Sequence, residues 1–151
     1  MKSHVIYFFL AITIGAGAVY FYKKKCSKCC MDSSSKNIEI KKISAQELKQ
    51  EMQSNNNLVV LNVLAEEYYN DCKIPGSRNY DYAQLKENVS LLDKSKDYVV
   101  YCASKICPAS HEAFKILHDM GFKVRAFEGG IKEWRDLGFA TEGPCVKEYL
   151  K

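Results

Sequence analysis

Cys102 and Cys107 lie close together in the segment YCASKICPAS, between the apolar run Tyr98 to Tyr101 and a stretch with helical spacing that begins at Pro108. A thiol at the carboxyl end of a buried strand, facing a helix N-terminus, sits where backbone N–H groups converge and the helix dipole favours negative charge. That placement favours a thiolate at Cys102, and the thiolate is the nucleophilic form of cysteine. Cys107 opens the same helix, so its thiol shares the positive end. The alternative for Cys102 is an inert core cysteine, a common fate of free thiols. Pro108 suits the first turn of the helix, and Ala113, Ile116, Leu117 and Met120 recur at helical spacing and give it an inward face. His111 and His118 are two helical turns apart on one face; the expectation is that they meet solvent rather than act as bases.

The elements that must position these thiols can be read from periodicity. Ile38, Ile40 and Ile43 suggest a short strand. Ser44 with Glu47 three residues on forms a capping-box pattern ahead of Leu48 and Met52, so a short helix starts there. LVVLNVL, from Leu58 to Leu64, is a continuous apolar run of the kind buried on both faces of a sheet. Glu66 to Asp71 reads as a brief helical turn, and Ile74-Pro75-Gly76-Ser77 as a tight turn leading to Arg78-Asn79-Tyr80. Tyr82 to Leu92 contains a short helix. Lys123 to Phe127 alternates like a strand, Gly129-Gly130 breaks it, and Ile131 to Leu137 makes a last helix carrying Trp134. Strands and helices alternating at this length argue for a mostly parallel sheet covered on both faces.

The 151 residues leave room for one domain and an appendage. The net charge of +4 is unevenly spread: residues 1–43 hold eight Lys against Asp32 and Glu39, while residues 44–143 hold twelve Lys and Arg against fifteen acids. A nucleic-acid binder needs a basic stripe on its folded domain to meet phosphates. None is visible here, which sets nucleic acid aside. Val5 to Tyr22 is 18 residues without a charge, near the lower limit for a membrane-spanning helix. Tyr7 at one end and Tyr20 and Tyr22 at the other suit the interfaces, and Lys23, Lys24, Lys25 and Lys28 follow at once. By the positive-inside rule this reads as a single-pass anchor with the C-terminal domain on the cytoplasmic side. The rival is a signal peptide cleaved near Ala16-Gly17-Ala18, with export of the domain.

The expected organisation is therefore an anchor with its basic flank over residues 1–25, a Cys/Ser/Lys linker over 26–37, a domain over 38–143 and a tail over 144–151. Seven cysteines, an odd number with no framework spacing, fit a reducing compartment. Cys26, Cys29 and Cys30 offer half of a zinc site whose other half is missing, so no metal is expected. They read as acylation candidates or exposed thiols on a tether. Cys72 is read as structural, and Cys145 has no assigned role.

Four segments, in order, resemble one family. ISAQELK resembles the opening helix of the rhodanese domain, and LVVLNVLAEEYYNDCKIPGSRN its strand and Ile-Pro-Gly turn. VVYCASKICPAS stands at its catalytic-cysteine strand and loop, and FEGGIKEWRDLGF at its closing Gly-Gly-x-x-x-Trp segment. The resemblance covers roughly Ile43 to Gly143. It implies a five-stranded α/β domain with helices on both faces, whose loop cysteine takes a sulfane sulfur as a persulfide and passes it to an acceptor. On this basis Cys102 is the nucleophile and Ala103, Ser104, Lys105, Ile106 and Cys107 form the active-site loop, with Lys105 its single cation. Ser104 and Ser110 could add hydroxyl donors, or serve only as turn and cap residues. The implied partners are a small sulfur donor and a thiol acceptor; no cofactor is implied.

The departures from the family pattern are local. The loop reaches its helix serine, Ser110, two residues later than usual and carries no Arg. Asn62 stands where Asp is frequent, Leu64 where Arg is, and Lys73 where His often precedes Ile-Pro-Gly. Related domains with long loops act as phosphatases through Cys-x5-Arg, whose Arg grips an oxyanion bidentately. Here that position is Pro108, which argues against phosphoryl chemistry. Cys107 is open to a role as a resolving thiol, attacking the Cys102 persulfide and leaving a disulfide for a thioredoxin-like reductant, or to simple packing against the loop. The resemblance and the apolar N-terminal run together imply a membrane-anchored rhodanese-like sulfurtransferase. The alternatives are a non-catalytic tethered binding module and a thiol-redox protein using Cys102 and Cys107.

Overall fold

The structure, a computed structural model, describes residues 38–146. The helix α1 (Ala45–Ser54) starts where the capping box places it: the Glu47 carboxylate accepts from the Ser44 backbone N–H at 2.9 Å, and the Ser44 hydroxyl accepts from Glu47 N–H at 3.3 Å. The chain continues through β1 (Leu58–Asn62), α2 (Glu66–Asp71), β2 (Arg78–Asn79), α3 (Tyr82–Asn88) with a short 3-10 turn at Val89–Leu91, β3 (Asp97–Tyr101), α4 (Ala109–Asp119), β4 (Lys123–Phe127) and α5 (Gly130–Asp136).

All strand pairs are parallel, in the order β2-β1-β3-β4. β3 is central, paired along its whole length with β1 on one side and β4 on the other. Its side chains alternate between two cores. Tyr98 and Val100 point to the side packed by Ala113, Phe114 and Leu117 of α4 and Leu85 of α3. Val99 and Tyr101 point to the side packed by Leu48 of α1 and by Ile131 and Trp134 of α5. Cys102 continues the alternation and falls on the α4 side. A strand buried on both faces explains the unbroken apolar run.

Two expectations are corrected here. The sheet has four strands among the described residues, not five. The segment before Ser44 makes one bridge, Lys42 to Ala126, with bonds from Ala126 N–H to the Lys41 carbonyl (2.8 Å) and from Ile43 N–H to the Ala126 carbonyl (3.1 Å). The helix cap at Ser44 ends extended backbone too soon for a full strand. The second correction concerns pairing: Cys72 and Cys145 form a disulfide across 73 residues. The tail is docked there, with Cys145 N–H donating to the Asp71 carbonyl (2.8 Å) and Arg135 donating to the Cys145 carbonyl (3.3 Å). The expected anchor, the linker and the cluster Cys26, Cys29, Cys30 lie outside the described residues. Among those described, no helix is long and apolar enough to cross a membrane, and no group of side chains is arranged to hold a metal ion.

Candidate active site

The carboxyl end of β3 delivers Cys102 against the first turn of α4. Cys102 is fully buried, and its sulfur lies 3.3 Å from the Ser110 hydroxyl, 3.3 Å from the Cys107 carbonyl oxygen and 3.6 Å from the Ser104 carbonyl oxygen. Two carbonyls as neighbours favour the S–H form, which can donate to them. Ser110, itself buried, is the group there that can donate back to sulfur.

The loop between is pinned at both ends. Cys107 N–H donates to the Ser104 carbonyl at 3.0 Å, closing a turn whose tip, Lys105 and Ile106, is exposed, Ile106 at 93%. On the other side the N-terminus of α5 grips the start of the loop. Ile131 N–H donates to the Cys102 carbonyl (3.0 Å) and Lys132 N–H to the Ala103 carbonyl (2.9 Å). So close an approach requires Gly130, whose φ is +63° and whose place would put a Cβ 2.5 Å from the Cys102 carbonyl oxygen. The Gly-Gly pair thus serves the thiol loop as well as ending β4.

The electrostatics of the two thiols diverge. Cys107, only partly buried, has its pKa lowered to about 5. The largest cause is the hydrogen bond from the Cys102 thiol; burial opposes it, and the N–H groups of Ala109 and Ala103 and the charge of His111 add to it. Cys102 is pushed up, first by that same bond to Cys107 and then by burial, with Ser110 opposing. The pair gives up one proton readily and holds the second. The direction of the two shifts favours a thiolate at Cys107 while Cys102 keeps its proton.

His111, expected to meet solvent, instead lies beside the site in contact with a carboxylate. It is half-buried rather than free in solvent, and Nε2 lies 2.8 Å from Glu128 Oε1. Glu128 also meets Lys42 at 3.1 Å. Burial tends to raise the Glu128 pKa, but the bonds from Lys42 and His111 prevail and lower it, so the carboxylate stays ionised. The position of Glu128, directly before Gly129-Gly130, was the available signal: the corner that grips the loop also brings this carboxylate to α4. His118 meets Asp119 at 3.6 Å and stacks on Phe114.

Of the sequence-assigned site residues, the fold brings Cys102, Cys107, Ser104 and Ser110 together. Ala103 joins them through its backbone. Lys105 and Ile106 stand at the tip, where no bond ties them to the thiols. Behind the site, the buried Tyr101 hydroxyl accepts from Ile74 N–H (3.1 Å) and lies 2.9 Å from the Ser77 hydroxyl. It fastens the Ile-Pro-Gly turn to β3. Asn62 accepts from Leu64 N–H at 2.8 Å, while its Nδ2 is buried without a partner, a consequence of an amide at this position.

These observations agree with the comparisons. The family model described as the rhodanese-like domain matches residues 44–137. The candidate sulfurtransferase YtwF of Bacillus subtilis is 32% identical over 97 residues, 64% of this chain and 92% of that protein. The solution structure of the rhodanese-like domain of the Anabaena protein Alr3790 superposes with a TM-score of 0.62 at 28% identity, covering 71% of this chain and 82% of that one. A thiosulfate sulfurtransferase of Pseudomonas aeruginosa gives a TM-score of 0.62 at 23% identity, over 70% of this chain and 20% of that longer one, a likeness of fold alone. With more than half of its length matched and the thiol loop at the carboxyl end of the central strand, the chain belongs to the rhodanese-like domain family.

Proposed function

We propose that the domain is a sulfurtransferase that holds a sulfane sulfur as a persulfide on Cys102 and passes it to a nucleophilic thiol acceptor. The observation that carries this reading is the site itself: two free thiols at the end of β3, next to the start of α4, with Ser110 3.3 Å from the Cys102 sulfur. The thiolate attacks the outer sulfur of a donor, the donor's S–S bond breaks, and the donor leaves as a thiolate or sulfite. Burial of Cys102 keeps the bound sulfur from water and stray thiols. With Lys105 as the single cation of the loop, the site suits a singly charged or neutral donor, such as a small-molecule persulfide, better than a doubly charged one. The same reading takes the segment Val5 to Tyr22 as the means of membrane attachment.

The test is turnover with glutathione persulfide as donor and dithiothreitol as acceptor. Freed of donor before the acceptor is added, Cys102→Ser should release at least about tenfold less sulfide than wild type. Release at the wild-type level by the variant would contradict the assignment. The nearness of the two free thiols, with the Cys107 carbonyl oxygen 3.3 Å from the Cys102 sulfur, favours a second reading, a dithiol switch. In that case the donor would convert the pair to a disulfide with no sulfur retained.

A further inference from the structure

We propose that Cys107 is the thiol through which sulfur enters, and that Cys102 receives it by transfer from Cys107 within the loop. The inference rests on the sulfur-transfer reading and changes its order of events. A donor must bring its sulfane sulfur into line with the attacking sulfur atom. Cys102 is fully buried beneath the loop, behind the carbonyls of Ser104 and Cys107. Cys107 is partly exposed in the same loop, its carbonyl oxygen lies 3.3 Å from the Cys102 sulfur, and its pKa is lowered. The reachable sulfur is thus also the one whose anion is held.

The steps balance without an outside oxidant. The Cys107 thiolate attacks the sulfane sulfur of a persulfide RS–SH; a new Cys107 S–S bond forms, the donor's S–S bond breaks, and RS⁻ leaves. Cys102 then gives its proton to the departing thiolate, directly or through solvent, and attacks the terminal sulfur. The Cys102 S–S bond forms as the Cys107 S–S bond breaks, restoring the Cys107 thiolate. The sum is transfer of one sulfur atom from RS–SH to Cys102, with RSH released.

The direction follows from the unequal thiols. A thiol with a low pKa is the better leaving group, and one with a high pKa the stronger nucleophile once ionised. Cys102 is fully buried with the Ser110 hydroxyl 3.3 Å from its sulfur, so sulfur that moves inward is withdrawn from solvent thiols, and the lowered pKa of Cys107 suits it to leave. An acceptor faces a lesser barrier of access than a donor. It needs only the terminal sulfur, which stands about 2 Å beyond the Cys102 sulfur on the side from which it arrived.

The experiment uses the full-length chain, reduced with dithiothreitol, desalted and mixed with glutathione persulfide. Samples are quenched in acid at short times, alkylated and mapped by trypsin. Cleavage after Lys105 separates the Cys102 peptide (residues 97–105) from the Cys107 peptide (residues 106–115). Wild type should show sulfur first on the Cys107 peptide and then on the Cys102 peptide. Cys102→Ser should show it on the Cys107 peptide only while donor is present, because the low-pKa thiolate leaves readily, and Cys107→Ser should load Cys102 at least about tenfold more slowly. Loading of Cys107→Ser at the wild-type rate would overturn the relay and leave the sulfur-transfer reading intact. No sulfur on either peptide in wild type would contradict the sulfur-transfer reading, and the relay with it. A second measurement on unmutated protein guards against misfolded variants: iodoacetamide at neutral pH should label Cys107 before Cys102, and the opposite order would overturn Cys107 as the entry point.

Discussion

Two cysteines five positions apart on the chain acquire different chemistry because they stand at different depths. Cys102 directly follows a strand buried on both faces and faces two carbonyl oxygens. Cys107 directly follows the loop tip, is only partly buried and has its pKa lowered. The consequence can be measured as a pH profile. Only the thiolate is alkylated, so the rate follows the ionised fraction, and a lowered pKa moves the rise to lower pH. For Cys107 the rise should centre on about pH 5 and be flat at neutrality. An ordinary free thiol would still be gaining rate near about pH 8.5. The check is the iodoacetamide rate on the 106–115 peptide between pH 4 and pH 9. The proximity of the thiols to a helix start was legible in the sequence, since Pro108 and the apolar spacing announce α4. Which thiol would carry the anion was not. That depends on the path of five loop residues, and so on bonds to a helix more than twenty residues further along the chain.

At the scale of elements, α5 is the part that holds this path. Its first N–H groups bond the carbonyls of Cys102 and Ala103, and Gly130 allows the approach. Gly130→Ala would have to adopt a positive φ and would meet backbone atoms of Cys102 and Ala103 that have no freedom to move aside. The expected cost is at least about 1 kcal/mol of stability, by chemical denaturation, together with slower sulfur loading. Unchanged stability and loading would show that the α5 contact is not needed. The Gly-Gly-x-x-x-Trp pattern was readable as a family mark, and Trp134 packs on Phe127 and Phe139 as such a mark implies. The pairing of His111 with Glu128 was less visible, because it joins α4 to the corner after β4 and no local pattern announces it. The fifth strand failed for the opposite reason. Ile38 and Ile40 have strand spacing, but the Ser44 cap is a stronger local signal and stops the pairing at one bridge.

At the scale of the molecule, the Cys72–Cys145 disulfide ties the end of α2 to a tail that the sequence left without a role. Long-range pairings of this kind leave no trace in spacing, which is why an odd cysteine count pointed to free thiols. Closing a long loop restricts the unfolded chain, so Cys145→Ser should lower stability by about 2–4 kcal/mol. The comparison is of denaturation midpoints for wild type and variant under non-reducing conditions, and equal midpoints would mean the bond adds nothing. Disulfides persist in oxidising compartments. Acid quenching and alkylation of cells would show whether the bond is present there. If it is, the domain faces an oxidising space, against the cytoplasmic orientation read from the lysines after Tyr22.

The central claim is that the domain carries a sulfane sulfur on Cys102. Its most direct test is peptide mapping of wild-type protein brought to equilibrium with glutathione persulfide and then freed of donor. The account predicts one added sulfur on the peptide of residues 97–105, removed by a thiol acceptor. A Cys102–Cys107 disulfide with no sulfur retained, or an unmodified protein, would contradict it.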